Sequence, residues 1–188
     1  MTHVAQMDFA GVKRANLSDD MRAKLRDWTY DETASGLWLF GPRRAGTSYI
    51  AKVVVGDLAH HHDLTDALQV KALGLIDEIR GSWSMSAQVR SSMDDMGLWW
   101  EAKNAEDMLD IYFHRLDVLW IDNLHHDTID WPMWKKHIQP RIEDRVEEGR
   151  IVIVSTTMPP NDPSMPSGVI EDMFTTIFCD GYRPDAGR

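Results

Sequence analysis

Two short stretches of this chain carry residues at a spacing suited to handling phosphate. Gly41-Pro42-Arg43-Arg44-Ala45-Gly46-Thr47-Ser48 follows the phosphate-loop template Gly-x4-Gly-Lys-[Ser/Thr] at every fixed position except the lysine, whose place Thr47 takes. Gly41 and Gly46 allow the backbone to curl so that successive N–H groups point at one phosphate, and a helix beginning near Thr47 adds the positive end of its dipole. In the complete motif the lysine brings a full charge to the terminal phosphates and the next hydroxyl binds Mg²⁺. Thr47 cannot bring the charge, whereas Ser48 keeps the hydroxyl. Arg43 and Arg44 stand inside the loop, where they either replace the charge from another direction or are simply solvated. The expectation is therefore ATP or ADP with Mg²⁺ held by residues 41–48, with ordinary hydrolysis in doubt.

The second stretch is Asp117-Val-Leu-Trp-Ile-Asp122, an apolar run ending in an acid. A phosphate-loop protein presents its Mg²⁺-side carboxylate in this way, at the C-terminal end of a strand, so Ser48 and Asp122 are the expected metal ligands. Asn123 follows, at the place where AAA+-type ATPases usually carry an acid that polarises the attacking water. An amide cannot accept a proton at neutral pH. Asp122 and Asn123 are thus the candidate catalytic positions, with the base itself missing.

Other clusters are weaker. His60-His61-His62 with Asp63 resembles a metal set, but adjacent imidazoles on a helix point in different directions, and histidines near a helix C-terminus also suit its dipole. His125, His126, Asp127 and Asp130 offer nitrogen and oxygen donors without a metal-ligand spacing. Lys135, Lys136, His137 and Arg141 lie beside Trp131 and Trp134, a mixture able to hold a nucleic-acid backbone but more often found on a solvated helix face with its tryptophans turned inward. Trp99, Trp100, Trp131 and Trp134 fall outside the expected strands and are candidate partner contacts.

The elements that must position these groups follow from patterning. A length of 188 residues suits one α/β domain with a full core. The single cysteine, Cys179, excludes an internal disulfide, and no stretch approaches the ~20 apolar residues of a membrane span. With no secretory pattern, a cytoplasmic location is expected. A net charge of −10 argues against broad, nonspecific nucleic-acid binding while leaving room for a local basic patch.

After a poorly patterned start, residues 18–28 read as a helix capped by Ser18 or Asp19. Strands are expected at 36–40, 67–72, 117–122, 151–157 and 176–179, alternating with helices at 48–61, 73–80, 102–116, 131–148 and 169–174, with Pro140 kinking or splitting the fifth helix. Five strands alternating with helices indicate a parallel sheet, with the first strand central and the loop 41–48 at its C-terminal edge.

Taken together, these segments resemble the ATPase domain of the DnaC-like replicative helicase loaders, a group that includes the transposition helper IstB. The matching features, in order, are Gly-Leu-Trp-Leu-Phe-Gly-Pro at 36–42, Ile-Asp-Glu-Ile-Arg at 76–80 and Val-Leu-Trp-Ile-Asp-Asn-Leu at 118–124. They continue with the helix carrying Arg145, Ile-Val-Ile-Val-Ser-Thr-Thr at 151–157 and Asp-Gly-Tyr-Arg at 180–183. The resemblance implies an α/β P-loop NTPase of AAA+-like type, a three-layer sandwich, with residues 1–20 as a tail and 21–188 as the domain.

Its departures fall on the chemistry. Thr47 replaces the lysine, Asn123 the second acid and Met158 the asparagine that senses the γ-phosphate, and no arginine lies between Val169 and Phe178, the stretch resembling the arginine-finger segment. The residues before Gly36 are expected to be too few for the N-terminal helicase-docking domain of such loaders. The resemblance implies a nucleotide-binding protein of DNA replication with weak or no ATP hydrolysis. Its expected partners are a replicative helicase or another AAA+ subunit, with single-stranded DNA and further copies of the chain as additional candidates. The alternative is a pseudo-ATPase that keeps the scaffold only to bind such a partner. A small nucleotide kinase is disfavoured because no arginine-rich lid segment is present.

Overall fold

The computed structural model describes residues 18–31, 33, 35–62, 64, 66–84, 109, 111–163 and 172–179. Helix α1 (Asp19–Tyr30) starts where Ser18 Oγ accepts from the Met21 N–H at 3.2 Å, with Asp19 and Asp20 in the first turn, where acids suit the dipole. Met21, Leu25 and Trp28 make its buried face. The indole N–H of Trp28 then donates to Gly36 O at 3.1 Å, tying the helix to the start of β1 (Gly36–Phe40).

The chain continues through α2 (Thr47–His61), β2 (Ala67–Lys71), α3 (Ala72–Ser84), a π-helical turn (Ile111–Arg115) and β3 (Val118–Leu124). After a short 3-10 turn (His126–Thr128), three helical segments follow in direct succession: Trp131–Met133, a π-helical turn Trp134–Ile138, and α4 (Gln139–Glu147). Then come β4 (Ile151–Thr156) and β5 (Thr175–Phe178).

All strand pairings are parallel, in the order β2-β3-β4-β1-β5. The expectation that β1 is central needs correction: β1 is interior, between β4 and β5, but the middle strand is β4. Its run Ile-Val-Ile-Val is apolar on both faces, as a strand covered on both sides requires.

Alternate residues of each strand serve opposite layers. Leu37, Leu39, Val118, Trp120 and Ile153 pack with α1 and α2, while Trp38, Leu119, Ile121, Val152 and Val154 pack with α3, the 111–115 turn and α4. The result is a three-layer α/β sandwich.

The helix expected over 131–148 is divided, as Pro140 requires. Pro140 lies in the first turn of α4, where a missing N–H costs nothing within the helix, and the preceding turn widens so that the Gln139 N–H bonds Trp134 O. Of the helix expected over 102–116, only Leu109 and residues 111–116 belong to the described part, and residues 164–171 of the last loop and helix lie outside it.

Candidate nucleotide site at the C-terminal edge of the sheet

The loop after β1 is fixed at both ends. The Gly41 N–H donates to Thr156 O at 3.3 Å, and the Ala45 N–H donates to Pro42 O at 2.9 Å, closing a turn. A Cβ on Gly41 would stand 2.2 Å from the carbonyl oxygen of Cys179, so the chain end of β5 demands glycine here irrespective of any ligand. Arg44 (φ 70°) and Gly46 (φ 84°) both adopt the left-handed conformation, an unusual one for arginine. Pro42, Arg43 and Arg44 are exposed, Ala45 is buried, Thr47 is half-buried and Ser48 is exposed. The first bond inside α2 runs from the Ile50 N–H to Gly46 O at 2.9 Å, which leaves the earlier N–H groups without partners within the helix. A curled backbone feeding a helix N-terminus has the form that accepts a phosphate.

Asp122 meets this loop directly. Ser48 Oγ donates to its Oδ1 at 2.7 Å, Ser155 Oγ donates to the same oxygen at 2.5 Å, and Gln69 Nε2 donates to Oδ2 at 2.9 Å. Ser155 in turn accepts from the Trp120 indole at 2.8 Å. Three strands and the start of α2 therefore converge on one carboxylate that is 8% exposed. A hydroxyl and a carboxylate at this separation fit the few protein ligands Mg²⁺ takes beside phosphate and water. Gln69 and Ser155 were not singled out from the sequence; the available signal was a polar residue inside each of two apolar strands, read there only as strand composition.

Asn123 differs from its expected setting. The strand does not stop at Asp122 but runs on to Leu124, with a bulge in which the register with β4 shifts between Asp122 and Leu124. Asn123 is the bulged residue, exposed and left-handed at φ 63°, a conformation asparagine tolerates better than most residues. Backbone geometry alone thus accounts for an amide at this position. Met158 also has a structural explanation: its side chain is in the core, its N–H donates to Thr156 Oγ1 at 2.9 Å and its carbonyl accepts from the Trp38 indole at 3.0 Å. Just beyond the two strands, His125 Nδ1 and Thr157 Oγ1 lie 2.8 Å apart.

The remaining sequence candidates separate. His62 Nε2 is bonded to Thr29 O at 2.7 Å, the side chains of His60 and His61 lie outside the described residues, and no group of three possible metal ligands occurs among the described residues. Asp130 caps the helical run by accepting from the Met133 N–H at 3.2 Å and pairs with Arg80 at 2.6 Å; these bonds, Arg80's first, hold its carboxyl below the usual carboxylate range.

Trp134 is 1% exposed and belongs to the core, which removes it from the partner-contact candidates. Trp131 is half-buried, its ring 6.2 Å from that of Trp134 and its indole N–H bonded to His126 O. Trp99 and Trp100 lie outside the described residues. The basic stretch is also less open than its composition indicates: Lys135 and Lys136 are exposed, but His137 is half-buried and its carbonyl accepts from Arg141 at 2.5 Å.

Arg145 is fully buried, and its guanidinium donates to the carbonyls of Tyr112, Phe113, Leu116, Asp117 and Ile151. It satisfies the carbonyls left open at the end of the 111–115 turn and locks that turn to β4. Burial, and then the charge of Arg150, lower its pKa to about 10, so it remains charged at neutral pH. The role is architectural.

No family model and no curated protein matches the chain. Solved structures do. Domain III of the replication initiation protein DnaA from Thermotoga maritima aligns with a TM-score of 0.67 at 8% identity, over 89% of this chain and 65% of that one. DnaI aligns with a TM-score of 0.64 at 16% identity, over 96% of this chain and 92% of the other. The fold, a five-stranded parallel sheet between helical layers, is the one these structures share. A third structure, the replication initiator DnaA bound to AMPPCP and single-stranded DNA, aligns with a TM-score of 0.53 at 10% identity, over 86% of this chain and 46% of that one. This chain therefore spans about two thirds of the DnaA domain III chain and most of DnaI. Among its described residues, no helix is long and apolar enough to cross a membrane.

Proposed function

We propose that the chain is a helicase-loader-like nucleotide-binding protein of DNA replication, cytoplasmic, with weak or no ATP hydrolysis. The observation that carries this reading is the 2.7 Å bond between Ser48 and Asp122, which joins the loop after β1 to the end of β3. In that arrangement the backbone of residues 41–46 and the first turn of α2 hold the phosphates, and Arg43 and Arg44 face solvent at the loop's rim. Ser48 and Asp122 hold Mg²⁺, which when bound offsets the phosphate charge. Asn123 offers no proton acceptor to an attacking water and Thr47 offers no charge, so binding and turnover are uncoupled. The likeness to DnaI and to an AMPPCP-bound DnaA supports a replication setting, with a replicative helicase or another AAA+ subunit as partner. Single-stranded DNA and further copies of the chain are additional partners in this reading.

Calorimetric titration with ATP and with ADP, each with Mg²⁺, tests the reading alongside a phosphate-release assay. Saturable binding with undetectable release is the expected result. Robust release by the isolated chain would overturn the second half of the proposal, and no binding of either nucleotide would overturn the first.

One observation favours a second reading, a pseudo-ATPase that binds a helicase or AAA+ subunit without nucleotide. Asp122 already accepts three hydrogen bonds from protein donors, so its charge is compensated within the fold. Under that reading the titration is silent while a helicase is still captured by the pure protein.

A further inference from the structure

The edge strand β2 lies beside β3, and in that parallel pair Lys71 is the register partner of Asp122. Register partners stand about 4.8 Å apart and send their side chains to the same face of the sheet. The bond from Gln69 Nε2 to Asp122 Oδ2 at 2.9 Å shows that face directly, since Gln69 and Lys71 alternate to it together while Val70 packs on the opposite layer with α3. At the start of the strand Ala67 packs with the layer of α2, but Gln69 and Lys71 are exposed, as is Ser48 in the first turn of α2. The helix therefore leaves the ground around Asp122 open between Ser48 and Lys71.

Lys71 stands next to a carboxylate and does not pair with it. Both oxygens of Asp122 are engaged, Oδ1 by Ser48 and Ser155 and Oδ2 by Gln69, and among the described residues no carboxylate forms an ion pair with the Lys71 ammonium. An outward lysine on an edge strand deters pairing with another sheet, but that benefit is indifferent to register. Here the lysine occupies the one position of β2 level with Asp122. Its flexible stem carries a compact charge with three donors, free to swing over the metal side of the loop.

We propose that Lys71 supplies from β2 the positive charge that Thr47 cannot, its ammonium meeting the phosphate oxygens on the side of the loop 41–48 where Ser48 and Asp122 lie. This rests on the nucleotide reading above. It assigns the charge to a strand that the phosphate-loop motif does not include, and it makes the binding of ATP and of ADP depend on β2 alike.

The test measures Kd for ATP and for ADP, both with Mg²⁺, by calorimetry on the full chain and on its Lys71→Met, Lys71→Arg, Thr47→Lys and Thr47→Lys/Lys71→Met variants. Lys24→Met, on α1, controls for net charge, and thermal unfolding checks the folding of each. Lys71→Met should weaken both nucleotides about tenfold, the worth of one hydrogen bond to a charged group. Lys71→Arg should keep most of the affinity and Lys24→Met all of it. Thr47→Lys should raise affinity by a larger factor in the Lys71→Met background than in the wild type, because either lysine serves the same phosphate oxygens. Unchanged affinity in Lys71→Met, an equal loss in Lys24→Met, or the same factor for Thr47→Lys in both backgrounds overturns this proposal alone. A wild type that binds neither nucleotide overturns it together with the reading beneath it.

Discussion

Ser155 Oγ donates to Asp122 Oδ1 at 2.5 Å across the register pair that joins β4 to β3. Because Ser155 also accepts from the Trp120 indole, this hydroxyl connects a core tryptophan with the carboxylate that meets the phosphate-type loop. Ser155→Ala leaves the indole N–H and one carboxylate lone pair without their partner. A loss of about 1–3 kcal/mol is expected in urea unfolding. An unchanged midpoint would show that water replaces the hydroxyl without cost.

Asp122→Asn should be costlier, since an amide nitrogen must then face one of the donors Ser48, Ser155 or Gln69. Stability should fall by roughly 2 kcal/mol or more, and any affinity for Mg²⁺-nucleotide should fall with it. A variant as stable as the wild type would mean that these bonds carry no net energy.

Thr47→Lys restores the missing charge. Nucleotide affinity should rise about tenfold, ~1.4 kcal/mol, while phosphate release stays undetectable, because Asn123 still cannot act as a base. Turnover appearing in this single variant would place the base elsewhere in the site.

His137 provides a pH signature. Burial first, then Lys136 and Arg141, depress its pKa below 6.5, so the unfolded chain takes up the proton before the folded one does. Its contribution to stability is complete above pH 6.5 and declines as pH falls through the lower folded value. Urea midpoints measured from pH 7.5 down to 5 should drop less steeply in His137→Gln than in the wild type. Parallel profiles would remove His137 as a source.

Much of the fold was legible because its signals are local. Ile-Val-Ile-Val at 151–154 can only be a strand covered on both faces, and Ser18 ahead of two acids starts a helix. The phosphate-type loop and Asp122 were legible from spacing. Three features were not, because they depend on pairings between distant segments. The middle strand is one, since β4 and not β1 lies at the centre of the sheet. The bulge at Asn123 is another: from the sequence the asparagine is a lost acid, whereas the backbone there requires a residue that accepts φ 63°. The third is burial of Trp134, whose basic neighbours suggested a surface while its own turn faces the core.

Arg145→Lys should cost about 3 kcal/mol or more in urea unfolding, because one ammonium cannot reach the carbonyls that a planar fork spans. Equal stability would mean that water or a neighbouring donor takes over those carbonyls.

The same guanidinium has a consequence for the order in which the chain assembles. Its carbonyl partners lie 28 to 33 positions earlier and six positions later, so the clamp cannot close until the 111–115 turn, α4 and the start of β4 have come together. Until then the charge stays hydrated, and hydration is given up only when every carbonyl is in place. Arg145 therefore acts as a late latch: it holds back escape from the finished domain more than it hastens the approach to it.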